Sequence, residues 1–425
     1  MPSATDKTSV ADLVCLVIDD GLFVHVASEL AKGFKKVLYG LALRDVAPKS
    51  YRSMIGKGLV NVERVEDIFD AARRADLIVF PDVYTSDLAG EFKRQGKLVF
   101  GATNEVAELE TDRWTTRQLI RDAGLPVVKA KRIVGIEALE AELKVGDEKW
   151  VKGLRYRGDF ETFHHLDWFM SRLWLHDLEA KLGPAGSSQI FILEDPIDDA
   201  VEVGIDGAVV EGEFPETISY GYEDKDTGYI GKVVAYRDLP KPIKEVTEKF
   251  KPILKDRKYT GWYSAEIRIT KTGVPYFIDP TCRCGLPPSE SYMDLFSNWP
   301  DFVWSAARGQ MIDLKPAAGA KFSAQLQMTA DYAIEHYLAW DIPEKDKRWV
   351  KLQSHFRQNG VDYNCPRGDA TVGAVTAIGE SVDQVEKACL SRAAGVKAYS
   401  LDYDAATFDR LNITIDKGRK HGVEF

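Results

Sequence analysis

The sequence predicts an α/β protein whose N-terminal part is a doubly wound parallel sheet. Three observations predict it. Strand and helix signals alternate through the first hundred residues, which argues for parallel strands with helices on both faces. A β-hairpin bearing two acids stands between Thr260 and Pro288. The 425 residues are enough for two to four packed domains, and 45% hydrophobic with 29% charged residues is a globular composition.

Leu13–Ile18 reads as a buried strand, ended by Asp19-Asp20-Gly21, with a helical pattern after it to about Lys32. Lys36–Tyr39 is a second strand, Val65–Arg74 a helix, Asp76–Phe80 a third strand and Gly96–Phe100 a fourth. Ligands of such sheets sit beyond the carboxyl ends of the strands, which puts Asp19, Asp20, Gly21, Pro81 and Asp82 at a candidate substrate edge. Ordinary strand-ending turns would explain the same residues. Residues 128 to about 188 read as a small α/β insert, with strand Lys129–Ile133, helix Ile136–Leu143 and strand Lys149–Gly153. Arg155 and Arg157 come next, in either a phosphate-facing loop or a basic surface turn. His164-His165 has no third ligand near and reads as a solvated helix start.

Gln189–Leu193 is a buried strand that runs into Glu194. Val201–Ile205 and Ala208–Glu211 read as arms of a hairpin turned at Asp206-Gly207. Asp224–Gly231 reads as a loop. Pro240–Lys255 is an amphipathic helix with Ile243, Val246, Phe250 and Leu254 on one face. In the acid-bearing hairpin, Trp262–Thr270 and Val274–Ile278 flank a Thr272-Gly273 turn. Glu266 lies mid-strand and Asp279 at the end of the second arm. Cross-strand side chains on one face stand about 5 Å apart. Two carboxylates so placed can bridge Mg²⁺, which takes few protein carboxylates plus phosphate oxygens. Arg283 could hold an anion beside them through two nitrogens. A plain charged surface hairpin fits these residues equally well. Ser291–Arg308 then reads as a helix, Phe322–Thr329 and Val372–Ala377 as strands, and Ser381–Ala394 as a helix capped by Ser381.

The net charge of −10, from 56 basic and 66 acidic residues, argues against a general binder of nucleic acid or anionic membrane. There is no basic stripe with interleaved aromatics, no apolar run of membrane-spanning length and no leader pattern. Five scattered cysteines (Cys15, Cys282, Cys284, Cys365, Cys389) fit a reducing, cytoplasmic compartment and no disulfide framework. Cys282-x-Cys284 has no partner pair for zinc.

The hairpin together with the residues after it, "TGWYSAEIRITKTGVPYFIDPTCRCGLPP", resembles the metal-binding end of the ATP-grasp superfamily. The stretch is similar to "TG…GxPxxxEFNxRxGxPE" of the phosphoribosylamine–glycine ligase (glycinamide ribonucleotide synthetase) family, with Asp279 for Glu and Thr281 for Asn. "ADLIVFPD", "KLVFGATNEVAELETDRWTTRQLIRDAGLPV" and "VGAVTAIGESVDQVEKACLSRAAGV" resemble further family segments, in the family's order, from about Leu13 to Val396. The resemblance implies an ATP-grasp fold in four parts: a Rossmann-like domain over residues 1–111, a lid over 112–188, a core over 189–320 and a small C-terminal cap over 321–425.

The resemblance also implies roles. ATP would be bound with Mg²⁺, or Mn²⁺, on Glu266, Asp279 and Thr281. Lys152, with Arg113 in place of a family lysine and Arg155 or Arg157 in place of a glycine-rich loop, would meet the phosphates. Glu194, Asp198 or Asp199 would take the ribose. Arg283 and Lys152 would be catalytic, with Arg283 on the carboxylate or acyl phosphate. Asp20, Asp82, Thr227, Gly228 and Arg283 would line the substrate pocket. Two departures bear on the substrate. The family's Gly-Gly-Arg-Glu-His phosphate loop is replaced by Asp19-Asp20-Gly21-Leu22-Phe23-Val24-His25, whose acids repel a phosphate. Tyr229 stands where the family's "D.GPNTGGMG" loop has a glycine. The expected reaction is an ADP-forming ligation of a small carboxylate, such as the amino acid glycine, to an amine other than phosphoribosylamine, by a monomer or homodimer. An idle nucleotide-binding protein, or a kinase that stops at the acyl phosphate, are the alternatives.

Overall fold

The computed structural model describes residues 9–42, 52–153 and 162–425. The chain opens with β1 (Val14–Asp19), α1 (Val24–Leu30), β2 (Lys36–Leu41), β3 (Val62–Val65), α2 (Ile68–Arg74), β4 (Leu77–Val79), α3 (Ser86–Arg94) and β5 (Val99–Phe100). The five strands form one parallel sheet in the order β3-β2-β1-β4-β5. Alternate side chains go to opposite faces. Leu16, Ile18, Leu38 and Ile78 pack with Ala71 of α2 and Phe92 of α3, while Cys15, Val17, Val37 and Val79 face the other way. The expected helix at Val65–Arg74 is shorter, because Val65 completes β3 and Asp67 caps α2 by accepting from the Phe69 and Asp70 N–H groups.

α4 (Asn104–Thr111) and α5 (Arg113–Asp122) lead into a small antiparallel sheet, ordered β6-β9-β7-β8. Its strands are β6 (Ala130–Val134), β7 (Lys149–Gly153), β8 (Thr162–His165) and β9 (Ile190–Glu194), with α6 (Ile136–Val145) and α7 (Trp168–Leu182) covering one side. His164-His165 is therefore not a helix start. It lies on β8, paired with Lys149 and Trp150 of β7.

A long antiparallel sheet forms the body. It runs β14-β13-β10-β11-β12-β15-β20-β17, with β22 beside β15. The strands are β10 (Ala200–Val209), β11 (Thr217–Asp224), β12 (Gly228–Ala235), β13 (Gly261–Thr270), β14 (Pro275–Thr281), β15 (Phe322–Ala330), β17 (Val350–Leu352), β20 (Thr371–Gly379) and β22 (Leu401–Asp402). α8 (Lys241–Asp256) buries Ile243, Val246, Phe250 and Leu254, the expected face. β16 (Leu338–Asp341), β18 (His355–Gln358), β19 (Val361–Asn364) and β21 (Lys397–Ala398) make a further small sheet. α11 (Val382–Gly395) and α12 (Thr407–Lys420) complete the chain, and the Ser381 hydroxyl accepts from the Gln384 N–H at the start of α11.

Two expectations fail here. Asp206-Gly207 is not a turn. β10 runs straight through it, with Asp206 opposite Ser264 of β13 on one side and Ser219 of β11 on the other. Pairing on both edges outweighs the local Asp-Gly signal. The helix expected over Ser291–Arg308 is two helices, α9 (Ser289–Leu295) and α10 (Trp299–Ala307), because Phe296 is extended and bridges to Pro316. The break turns Trp299 and Phe302 into the apolar layer beneath the parallel sheet.

Candidate active site

Three neighbouring strands build one wall of a cavity of about 680 Å³. Glu202, Gly204 and Asp206 alternate along β10 and stand opposite Arg268, Glu266 and Ser264 of β13. Ser264 and Glu266 in turn face Thr281 and Asp279 of β14. Glu266 and Asp279 are thus directly cross-strand, as the hairpin reading expected, beside a β-bulge at Glu266/Ile267. Thr281, Arg113, Lys152, Glu194 and Arg283 also line the cavity.

Lys152 comes from β7 of the small sheet and crosses to the body. Its Nζ lies 3.4 Å from Asp279 Oδ2 and 3.2 Å from Glu194 Oε2. Arg113 donates to the Gly153 carbonyl at 3.0 Å, and its Nε is 3.8 Å from Asp279 Oδ1. Burial works against the Lys152 ammonium, but Asp279 and Glu194 outweigh it and hold its pKa above the ordinary value. Burial likewise works against the Asp279 carboxylate, but Lys152 and Arg113 hold its pKa below the usual range. Glu266 goes the other way. Burial, with Glu202 adding to it, pushes Glu266 up to about 7. Burial, then Glu266, also pushes Glu223 well above the usual range. Acids outnumber cations at this end, so a hard cation is what the donor set fits. Among the described residues no group of three or more His, Cys, Asp or Glu side chains is arranged to hold a metal. A two-carboxylate site completed by substrate oxygens and water needs none.

Arg283 donates from Nε to Glu110 Oε1 at 2.9 Å and from Nη1 to the Cys284 carbonyl at 2.8 Å, with Asp82 Oδ1 4.0 Å from Nε. Arg283 and Asp82 are therefore together at the sheet edge. The other sequence-named residues scatter. Asp20 is half-buried beside Asp19 and does not line the cavity. Glu194 reaches the cavity but is paired with Arg117 at 2.6 Å as well as with Lys152. Asp198 and Asp199 are exposed and off the wall, and Asp199 pairs with Lys417 of α12 at 3.1 Å. Thr227 and Gly228 sit at the far end of the β11–β12 hairpin, where the Thr227 hydroxyl bonds Asp224 and Thr407. The turn's phase sends Lys225, Asp226 and Tyr229 to the cavity instead. Arg155 and Arg157 lie outside the described residues. Missed by the sequence reading were Glu202, Asp206, Glu223, Lys225 and Arg268. Their signal was present, since Glu202 and Asp206 share the period-2 face of β10, and Glu266 and Arg268 that of β13.

No protein-family model and no curated protein matches the sequence. Solved structures do. A phosphoribosylamine–glycine ligase from Thermotoga maritima superposes with a TM-score of 0.71 at 15% identity, over 92% of this chain and 99% of that one. The chain has the ATP-grasp fold. Biotin carboxylase from Campylobacter jejuni, solved as a β-γ-ATP complex, gives 0.67 at 15% identity, over 94% of this chain and 99% of that one. The biotin carboxylase domain of 2-oxoglutarate carboxylase from Hydrogenobacter thermophilus, solved as a dimer with MgADP and bicarbonate, gives 0.67 at 13%, over 96% and 95%. The ATP-grasp likeness thus extends over nearly the whole chain, and at these identities it concerns the fold.

Proposed function

We propose that the protein is an ATP-dependent, ADP-forming ligase that joins a small carboxylate to an amine through an acyl phosphate. The observation that carries this is the meeting of Lys152 from the small sheet with Asp279, directly opposite Glu266, at the mouth of a cavity that also holds Arg283. Such a constellation combines phosphate-facing cations with a pair of metal-competent carboxylates. Glu266 and Asp279 would hold Mg²⁺ or Mn²⁺, with the Thr281 hydroxyl near, and the ion would screen the triphosphate. Lys152 and Arg113 would stabilise charge on the transferred phosphoryl group. A carboxylate oxygen attacks the γ-phosphorus, the β–γ bridging P–O bond breaks and ADP leaves. The amine nitrogen then attacks the acyl carbon, the C–O bond to phosphate breaks, and the nitrogen loses a proton. Arg283, through its Nη2, would hold the carboxylate. Closure of the small sheet with its helices, which we read as the lid and which takes in β9 beyond the expected bounds of 112–188, would keep water from the acyl phosphate.

One observation favours a second reading, an idle nucleotide-binding protein. Lys152 and Arg113 are already engaged by protein carboxylates and a carbonyl. The deciding experiment is ADP release from Mg-ATP with a panel of amino acids and small amines, alone and paired, using Asp279→Ala as the blank. ADP formation that needs both a carboxylate and an amine, and falls at least about a hundredfold in Asp279→Ala, is the expected result. Release of an acyl phosphate with no amide would make the protein a kinase. No ADP in any mixture, with ATP still bound, would leave the idle reading.

A further inference from the structure

One buried carboxyl on the cavity wall is held by a neutral partner alone. Glu202 pairs with Arg268 at 2.9 Å, Glu194 with Arg117 and Lys152, and Asp279 with Lys152 and Arg113. Asp206 is only 4% exposed yet lines the cavity, and among the described residues it forms no ion pair with Lys, Arg or His. Its side-chain hydrogen-bond partner is a neutral hydroxyl. Tyr229 Oη donates to Oδ2, and Ser264 stands directly opposite on β13. A buried carboxyl held only by neutral donors carries a desolvation cost that a charged ligand would offset.

The surroundings are shaped for this pair. A Cβ on Gly221 would lie 2.3 Å from Tyr229 Oη, and one on Gly231 would lie 2.8 Å from Tyr229 Cε1. The Tyr229 ring therefore occupies room that two glycines leave, and its hydroxyl is fixed on Asp206. The spot is one cross-strand row beyond Glu266–Asp279, on the Arg283 side. Ser264 faces Thr281, and a Cβ on Gly285, two residues after Arg283, would lie 3.2 Å from Ser264 Oγ. An anion would meet Asp206 with Glu266 one row away. A neutral donor would gain little. An ammonium group supplies both charge and N–H donors.

We propose that Asp206, gripped by Tyr229 and facing Ser264, is the seat of a protonated primary amine on a short substrate. The identity of this pocket as a substrate pocket rests on the ligase reading above. The Tyr229 ring limits the depth of the seat, so small alkylammonium groups fit and bulky or quaternary ones do not.

The test uses the full chain with Mg-ADP present and ligand-observed NMR. The probes are n-propylammonium, its neutral isostere n-propanol, and tetramethylammonium, which has no N–H. The seat predicts binding of propylammonium over both others. It also predicts a loss of about tenfold or more in Asp206→Asn and a smaller loss in Tyr229→Phe, with Mg-ADP affinity unchanged in both. Equal binding of propanol, no binding of propylammonium, or an Asp206→Asn protein that binds propylammonium like the wild type would overturn it. Should Asp206→Asn not fold, an unchanged propylammonium affinity in Tyr229→Phe overturns it instead. ADP release is read separately. If it never occurs while the NMR result holds, the ligase reading falls and the seat stands. If it occurs and Asp206→Asn leaves the KM for every amine unchanged, the ligase stands and the seat falls.

Discussion

Glu290 shows how a single buried acid sets the pH response of this molecule. It lies on α9 with no exposed surface. Its Oε2 accepts from Gln325 Nε2 at 3.0 Å, and its Oε1 carries no hydrogen bond. Lys351 of β17, Gln325 of β15 and Ser289 face it, but burial outweighs them and pushes its pKa up to about 7. The unfolded chain titrates this group near its ordinary value of about 4.3. The folded state therefore holds the proton more tightly. Its contribution is fully present below the ordinary value and is lost as pH rises through about 7. His25 acts in the opposite sense. Burial, with Lys351 second, pulls it down to about 3, so its stabilising share is lost as pH falls below its ordinary value. The two cancel in part in the wild type, and a difference between two proteins separates them. Glu290→Gln is expected to gain stability over wild type between pH 5 and pH 8, on the order of 3 kcal/mol across that interval. Urea unfolding of both proteins at the two pH values measures it. Parallel curves would mean that Glu290 stays ionised when buried.

The second helix of the C-terminal part, α12, makes the point at the scale of an element. Phe408, Leu411 and Ile415 are buried on its inner face, and Phe408 and Leu411 recur at helical spacing, yet the sequence reading leaves this stretch without an element. Asn412, Ile413 and Thr414 in mid-helix, and Gly418 near its end, weaken the local signal. Gly418 has a tertiary reason. A Cβ there would lie 1.9 Å from Tyr222 Oη and 2.8 Å from its Cζ, and Tyr222 is fully buried. In an open helix Gly→Ala stabilises by about 1 kcal/mol. Here Gly418→Ala is expected to destabilise by about 1–3 kcal/mol, because a rigid buried ring must move. A rise in the urea midpoint would refute the contact. The same contrast between local and tertiary information explains what was legible elsewhere. The Glu266–Asp279 hairpin has its turn, its strands and its acids within twenty residues, so its pairing could be read from sequence. The face shared by Glu202 and Asp206 depends on β11 and β13, which flank β10 from distant positions, and there an Asp-Gly pair reads as a turn. Thr227 and Tyr229 are two apart, and hairpin register decides which neighbour of the turn reaches the cavity.

At the scale of the whole molecule, the cavity is bridged by side chains from three separate stretches. Lys152 reaches from the small sheet to β14, and Arg113 ties the Gly153 carbonyl to Asp279 from α5. A bound nucleotide's phosphates would compete with Asp279 and Glu194 for Lys152, and would offer the cations a stronger partner in return. Binding to the folded state alone stabilises it by about 2.7 kcal/mol at a ligand concentration of a hundred times Kd. In a chain of this size that is a rise in Tm of a few degrees, about 2–5 °C. Lys152→Met separates the ligand effect from the structural one. Without Lys152, Asp279 keeps Arg113 and Glu194 keeps Arg117 at 2.6 Å, so neither acid is abandoned. The loss without ligand is then smaller than the roughly 3–5 kcal/mol typical of breaking a buried pair. Calorimetry with and without Mg-ATP is expected to show a modest fall in Tm for the unliganded variant and loss of most of the nucleotide-dependent rise. A variant with full nucleotide protection would show that Lys152 is a structural strut between the small sheet and the body. The phosphate contact would then have to come from Arg113.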